Sequence, residues 1–167
     1  MEAHAITKYR EFKLFQPVPV DRYDMPQNLI AEIKRQTDCV FDFVEQTSQE
    51  YRLLNEANDN SVHRDGFNYL NSVACETMMA RIREIEERAI NGTGDQDLIH
   101  GLKRWRQFTQ KRESEMIDNI YQYCRENVFD TGVFLVGAAH KTDIVKEIEK
   151  HASTEAGLID WNFAYHN

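Results

Sequence analysis

The feature that most constrains the fold is a helical spacing of apolar side chains that fills most of residues 27–130. Apolar residues recur there at intervals of three and four, which is the period of an amphipathic helix. Sequences rich in turn-forming residues interrupt the pattern at 55–66 and at 91–95, where we expect helices to end. The helices predicted for this region are, in chain order, about 27–57, 73–90 and 96–127.

The last part of the chain has a different pattern. The stretch VFLVG at 133–137 is a short β-branched run bounded by turn signals, which predicts a buried strand. A helical pattern follows at about 143–156, and GLIDWNF at 157–163 alternates as a second strand would. A strand, a crossover helix and a strand predict a parallel βαβ unit. The predicted fold class is therefore α+β and mostly helical, with long amphipathic helices followed by a C-terminal strand–helix–strand unit.

The 167 residues suit a single domain. We divide it into an extended connector at 1–26, which holds all three prolines, a helical region at 27–130 and the βαβ unit at 131–167. Two strands make a poor sheet, because an apolar strand needs neighbours on both edges and cover on both faces. Either the chain associates with itself, as a homodimer or larger homo-oligomer, or it is a fragment whose neighbouring strands are missing.

Composition and charge exclude some classes of function. The net charge of −8 argues against a nucleic-acid partner, because phosphate binding relies on clustered lysine and arginine. No run approaches the ~20 apolar residues that a membrane span needs, and the N-terminus lacks the apolar segment of a signal peptide. The three cysteines form no CxxC pair and lie in apolar helical patterns, which predicts reduced core thiols. We therefore expect a cytoplasmic protein.

His140 is the first candidate for a functional side chain. It follows the carboxyl end of the predicted strand and precedes a helix whose predicted N-cap is Thr142. Ligands of open α/β sheets bind just beyond the carboxyl ends of strands, and an imidazole there can be a metal ligand or a general base. The alternative is a histidine that only hydrogen-bonds a loop. One histidine does not make a catalytic zinc site, which usually has three protein ligands.

Arg112 and Asn119 are the second and third candidates. They project towards the same side as Phe108 and Met116, on a helix whose apolar side should be buried. Burying a guanidinium or an amide costs a few kcal/mol unless its donors are satisfied. We therefore predict fixed partners for both side chains: carboxylates, backbone carbonyls or a ligand anion. For Arg112 the alternative is that its stem lies along the core and its guanidinium reaches water.

The stretch RESEMIDNI (112–120) followed by FLVGAAHKTDIVKEI (134–148) resembles the C-terminal part of the TraB/Tiki/erythromycin-esterase-like superfamily. In that group a helix with an R-x-x-x-M-x-x-x-I type pattern precedes a strand that ends in a G-x-x-H motif, and a helix follows. The motif here is Gly137-Ala138-Ala139-His140. The resemblance covers about residues 98–163.

The resemblance implies an α/β-type core with a helical insertion and metal-dependent hydrolysis with a divalent metal, whose identity it does not fix. It implies that His140 is a metal ligand or catalytic base and that Arg112 and Asn119 are polar supports near the site. The superfamily also has an earlier G-x-x-H motif, which this sequence lacks. A C-terminal portion of such a protein, with little activity alone, is therefore what the resemblance implies.

Two other functions remain open from the sequence. The first is a non-catalytic helical interaction domain that dimerises through its amphipathic helices and unpaired strand edges. The second is a binder of small ligands, in which Arg112 recognises a carboxylate or phosphate. Neither the residues nor the resemblance indicates whether a substrate would be a small molecule or a peptide.

Overall fold

The computed structural model describes residues 16–22, 25–155 and 157–163, and within these ranges the protein is all-helical. A 3₁₀ turn, Ala138–His140, precedes the last helix. None of the described helices is long and apolar enough to cross a membrane. The described residues form five α-helices: α1 (Gln27–Thr47), α2 (Gln49–Leu70), α3 (Val73–Asn91), α4 (Gln96–Glu126) and α5 (Lys141–Thr154).

Helices α1 and α2 replace the single helix predicted for about 27–57. They separate at Ser48, whose backbone is extended (φ −109°, ψ 108°). The Ser48 hydroxyl accepts a hydrogen bond from the N–H of Tyr51 at 3.2 Å, which is the N-cap geometry that serine favours. Helix α2 then continues through 55–66, where we predicted that a helix ends. Gly66 kinks it with a φ of 53°, a conformation that costs glycine little because it has no Cβ.

Helices α3 and α4 begin at polar caps. The Ser72 hydroxyl accepts a hydrogen bond from the N–H of Cys75 at 3.2 Å. The Asp95 carboxylate accepts from the N–H groups of residues 97 and 98, which makes Asp95 the N-cap of α4. Gly92 is the C-cap of α3 and has a right-handed conformation. The left-handed conformation falls on Gly94, whose φ is 69°.

The predicted α+β fold class is wrong, because the described residues contain no strand. The segments 133–137 and 157–163 flank α5 as irregular chain, so the predicted βαβ unit at 131–167 and the α/β-type core implied by the resemblance are both overturned. The side chains do alternate, with Phe134 inward and Leu135 exposed. A strand also requires hydrogen bonds to a neighbouring strand, and neither segment has one within the described residues.

The start of α5 also differs from the prediction. We expected Thr142 to be the N-cap of a helix over about 143–156. The chain instead turns through Ala138–His140, and α5 begins directly at Lys141. Because the Gly137 carbonyl accepts a hydrogen bond from the N–H of His140 at 2.9 Å, this histidine lies within a defined turn.

Two hydrophobic clusters hold the helices together, and α4 contributes to both. The N-terminal cluster joins α1, α3 and α4, and consists of Val40, Val44, Ile90 and Leu102. The C-terminal cluster joins α4 and α5, and consists of Met116, Ile117, Tyr121, Ile144 and Ile148. Phe134, Val136, Ile159 and Trp161 are partly buried against the C-terminal cluster. The irregular segments beside α5 are therefore fixed by apolar contacts although they form no sheet.

The three cysteines have different environments. Cys75 is buried, and burial raises the pKa of its thiol. Cys124 is half-buried, whereas Cys39 is exposed on α1, so the predicted core position of Cys39 is wrong. All three are free thiols and therefore do not cross-link the fold.

Candidate functional site around His140

The imidazole of His140 is paired with a buried carboxylate. Its Nδ1 lies 2.6 Å from Oε1 of Glu113, which α4 presents at its centre. The Glu113 side chain is 2% exposed and the His140 side chain 26% exposed. Glu113 was not predicted to be a functional residue. The available signal was its position at the edge of the apolar stripe of α4, where a carboxylate needs a partner if it is buried.

The pairing defines what the imidazole can do. An ionised carboxylate only accepts hydrogen bonds, so Nδ1 of His140 is the donor in this contact, and in the neutral imidazole Nε2 then keeps its lone pair. A carboxylate bound to one ring nitrogen orients the ring so that the other nitrogen can accept a proton or ligate a metal. The described part of the chain offers no hydrogen-bond partner for Nε2 of His140. The arrangement is chemically that of a general base with its orienting group, or of a metal ligand with its supporting carboxylate.

Arg83 attaches the turn of His140 to α3. One of its guanidinium nitrogens donates to the Ala139 carbonyl, and another donates to Asp143 at 2.7 Å. Burial on its own would raise the pKa of the Asp143 carboxyl, but hydrogen bonds from Lys146 and Arg83 outweigh it and lower that pKa. Asp143 therefore stays charged, and it keeps Arg83 at the start of α5.

Lys141 makes a second attachment to α3. Its ammonium lies 2.6 Å from the Glu76 carboxylate and 3.3 Å from the carbonyl oxygen of Asn71. Lys141 and Ala139, the two neighbours of His140, are thus both held to the region of α3 by charged side chains. Because Glu113 holds the imidazole itself, the direction of the ring is fixed from two helices.

Arg112 and Asn119 have fixed partners, and these belong to residues 16–22 and not to the turn of His140. Asn119 donates to the backbone carbonyl of Val20 at 2.8 Å, and Arg112 is 2.5 Å from the Asp21 carboxylate. The Arg112 guanidinium also lies 5.6 Å from the ring centre of Phe108. The two side chains hold residues 16–22, which we call the N-terminal strap, against α4. Their predicted role as supports of the His140 site stays a prediction.

Replacing Asn119 by alanine should destabilise the protein by about 1 kcal/mol, because the Val20 carbonyl loses its hydrogen bond. The free energy of unfolding in urea measures this change. Gln122→Ala is the matched control, since its amide is exposed on the same helix and should change stability by less than about 0.5 kcal/mol. Equal changes in the two variants would mean that the strap is not held by Asn119.

A metal ion would need ligands beyond this pair. No group of three histidine, cysteine, aspartate or glutamate side chains in ranges 16–22, 25–155 and 157–163 is arranged to hold one. His140 and Glu113 supply two such groups, and Glu113 already uses an oxygen on the imidazole. For the divalent metal implied by the resemblance, we therefore propose His140 as a ligand and no other described residue.

A second buried carboxylate lies on α3, and its burial was not predicted from the sequence. Glu86 is 6% exposed, and it accepts a hydrogen bond from the Arg106 guanidinium on α4 at 2.5 Å. Burial raises the pKa of the Glu86 carboxyl, although the positive charge of Arg106 acts in the opposite direction. Burial, and then the charge of Glu86, also raise the pKa of the Tyr51 hydroxyl. The pair Glu86–Arg106 is thus a charged contact within the helical packing.

Two surface clefts lie elsewhere. One, of about 540 Å³, separates α1 from α4 and is lined by Cys39 and His100 among others. The other lies where α1 and α2 meet α3, and it is lined by Glu50 and Arg88 among others. His140 lines neither cleft.

Comparison of the chain with known protein families, with curated proteins and with solved structures finds no match. A proposal about function therefore rests on the sequence and on the contacts of the described residues.

Proposed function

We propose that this chain supplies His140 to a hydrolase-type site, as a general base or as one ligand of a divalent metal ion. The observation that carries the proposal is the 2.6 Å contact between Nδ1 of His140 and the buried carboxylate of Glu113. Burying a carboxylate to this degree costs free energy unless the carboxylate is paired and hydrogen-bonded. Here the partner is an imidazole whose Nε2 is left for chemistry.

Membership of the TraB/Tiki/erythromycin-esterase-like superfamily is part of the proposal. It is supported by the order of the Arg112–Met116–Ile120 pattern and the Gly137–His140 motif along the chain. A metal bound here would act as a Lewis acid or would activate a water molecule. His140 would hold it through Nε2, and Glu113 would orient the ring. The other ligands would come from the superfamily's earlier G-x-x-H motif, which this sequence lacks, so the chain alone should bind a metal weakly and have low activity.

Zinc binding and ester hydrolysis test the two roles of His140. We expect His140→Ala to abolish binding of Zn²⁺ in a calorimetric titration, and Glu113→Gln to weaken it by about 10- to 100-fold through the loss of ring orientation. If His140 acts as a base without metal, slow hydrolysis of p-nitrophenyl acetate should fall to the buffer rate in His140→Ala. The matched control is His100→Ala, which removes an exposed histidine of α4.

Each role has an outcome that contradicts it. Equal Zn²⁺ content in the wild-type protein and in His140→Ala would remove His140 from the ligands. Equal rates of ester hydrolysis in His140→Ala and His100→Ala would remove it as a base. If both results were found, the pair His140–Glu113 would be a structural contact only.

A second candidate function is a non-catalytic domain that associates with a second copy of itself. It is favoured by large apolar side chains that stay exposed among the described residues, such as Val133 and Leu135. Light scattering tests it directly, because a strict monomer would oppose it. For both candidates we propose the cytoplasm as the compartment, since Cys39, Cys75 and Cys124 are free thiols.

A further inference from the structure

An exposed apolar strip runs along the segment between α4 and α5. Val128 and Phe129 are exposed at its start, and Val133 and Leu135 follow with 81% and 52% of their surfaces accessible. Phe134 and the residue after Leu135 point the other way and pack on the C-terminal cluster. The segment is therefore apolar on both faces, and only one face is covered within the described part of the molecule.

The backbone of the strip is also unpaired. Among the described residues, no backbone–backbone hydrogen bond joins 128–136 to another segment, and the first such bond is accepted by Gly137 from His140. Backbone N–H and C=O groups are obligatory hydrogen-bonding groups, and a free apolar edge pairs readily with another chain. The alternating side chains and the unpaired backbone groups are what an extended polypeptide binds when it pairs with an edge.

We infer that the occupant is the same segment of a second copy, which pairs antiparallel with residues 133–137 across a two-fold axis at Leu135. This inference rests on the self-association candidate of the preceding subsection and not on the hydrolase candidate. In a two-fold interface each residue meets its symmetry counterpart. Leu135 then lies opposite Leu135 of the partner subunit, and Val133 lies opposite Gly137 of the partner subunit.

Charge favours a second copy in this register. The chain has a net charge of −8, so most contacts between two copies bring like charges together, whereas residues 131–137 carry no charge. The antiparallel register also brings Asp130 to the end of the strip where the partner's α5 begins. A carboxylate is favourable at a helix N-terminus. The centre of the contact is thus neutral, and its two ends are complementary.

The helical core supplies the apolar surface that such a two-stranded pairing needs. An isolated two-stranded ribbon is marginal in water and needs an apolar surface behind it. Phe134 and Val136 already anchor each segment to the C-terminal cluster of its own subunit. The two subunits would therefore pair segments that are held in place before they meet.

Cysteine cross-linking tests the register in a Cys39→Ser background, which removes the exposed native thiol. Leu135→Cys should give a covalent dimer under mild oxidation, because residues directly opposite in an antiparallel pair have Cα atoms about 4.5–5.5 Å apart, within disulfide range. Leu53→Cys is the matched control, since Leu53 on α2 is as exposed as Leu135 and should give no dimer. Equal cross-linking of the two variants would overturn the inference.

Light scattering of variants with an added charge shows whether dimerisation uses this strip or another surface. Leu135→Asp should weaken the dimer at least about tenfold, because the two carboxylates would face each other across the axis. Leu53→Asp should leave the dimer unchanged, and circular dichroism should show both variants folded. A dimer insensitive to Leu135→Asp would overturn this surface while the self-association candidate stands. A monomeric wild-type protein would overturn both.

Discussion

Replacing Arg106 by methionine is expected to destabilise the protein by about 3 kcal/mol at neutral pH, because the buried Glu86 carboxylate loses its charged partner. Methionine keeps most of the apolar stem of the arginine, so the packing of α3 on α4 changes little. The cost therefore reports the unpaired charge and not a cavity. Urea unfolding monitored by circular dichroism measures it.

The destabilisation by Arg106→Met should shrink as the pH falls. Burial already places the folded-state pKa of Glu86 above the ordinary carboxyl value of 4.5, and loss of Arg106 raises it further. A group with a raised folded-state pKa binds its proton more tightly in the folded protein. Its contribution to stability is therefore fully present below the unfolded value and is lost as the pH rises through the folded value. The difference from wild type should be smaller at about pH 5 than at about pH 7.

The double variant Glu86→Gln, Arg106→Met is the control. It removes the charge together with its partner, so we expect it to recover most of the lost stability at neutral pH. Other carboxylates titrate over the same range, and comparing the single with the double variant cancels their effect. A single variant whose deficit is the same at both pH values would show that the charge of Glu86 is not the cause.

The helices were predictable because their signals are local. The apolar stripes of α3 and α4 and the N-cap at Asp95 follow from the identity of residues within a few turns. The predicted helices begin at the observed residues and end within one residue of the observed ends. The break between α1 and α2 was missed because the apolar spacing continues across Ser48. A serine in a helical pattern predicts a cap only when the helix before it has already ended.

The strands were wrongly predicted because a strand depends on a neighbour that local sequence does not contain. VFLVG has the composition and alternation of a strand, and its alternation is present in the structure. The hydrogen-bonding partner is what is missing from the described residues, and the backbone of 133–137 therefore forms no ladder. The same sequence would predict a strand equally well in a protein that does supply a neighbouring strand.

The candidate site was predicted only in part, for a related reason. His140 was selected from its place after an apolar run and before a helix, both of which are local features. Glu113 was not selected, because its importance comes from a contact with a residue far along the chain. Arg112 and Asn119 were recognised as polar residues on an apolar side, but whether their partners belong to a site or to the N-terminal strap depends on tertiary structure.

Replacing Gly101 by valine is expected to cost about 3 kcal/mol, at the upper end of what overpacking of a core usually costs. Helix α4 crosses α1 at this glycine, and a Cβ there would lie 2.9 Å from Cγ2 of Val40. Val40 is 2% exposed, and a β-branched side chain in a helix has one strongly preferred rotamer, so it cannot swing away. The helices must separate instead, which weakens the N-terminal cluster. Thermal and urea unfolding measure the loss.

Two controls isolate the helix contact as the cause of that loss. Gln107→Val places the same residue at an exposed position of α4 and should cost less than about 1 kcal/mol, which is the propensity of valine alone. In Gly101→Ala combined with Val40→Ala, the new methyl group fills space that the valine vacates. The double variant should therefore be more stable than the sum of the single changes predicts, by about 1 kcal/mol. Strict additivity would show that α1 and α4 do not meet at Gly101 and Val40, and the N-terminal cluster would then lack the contact that fixes the spacing of these two helices.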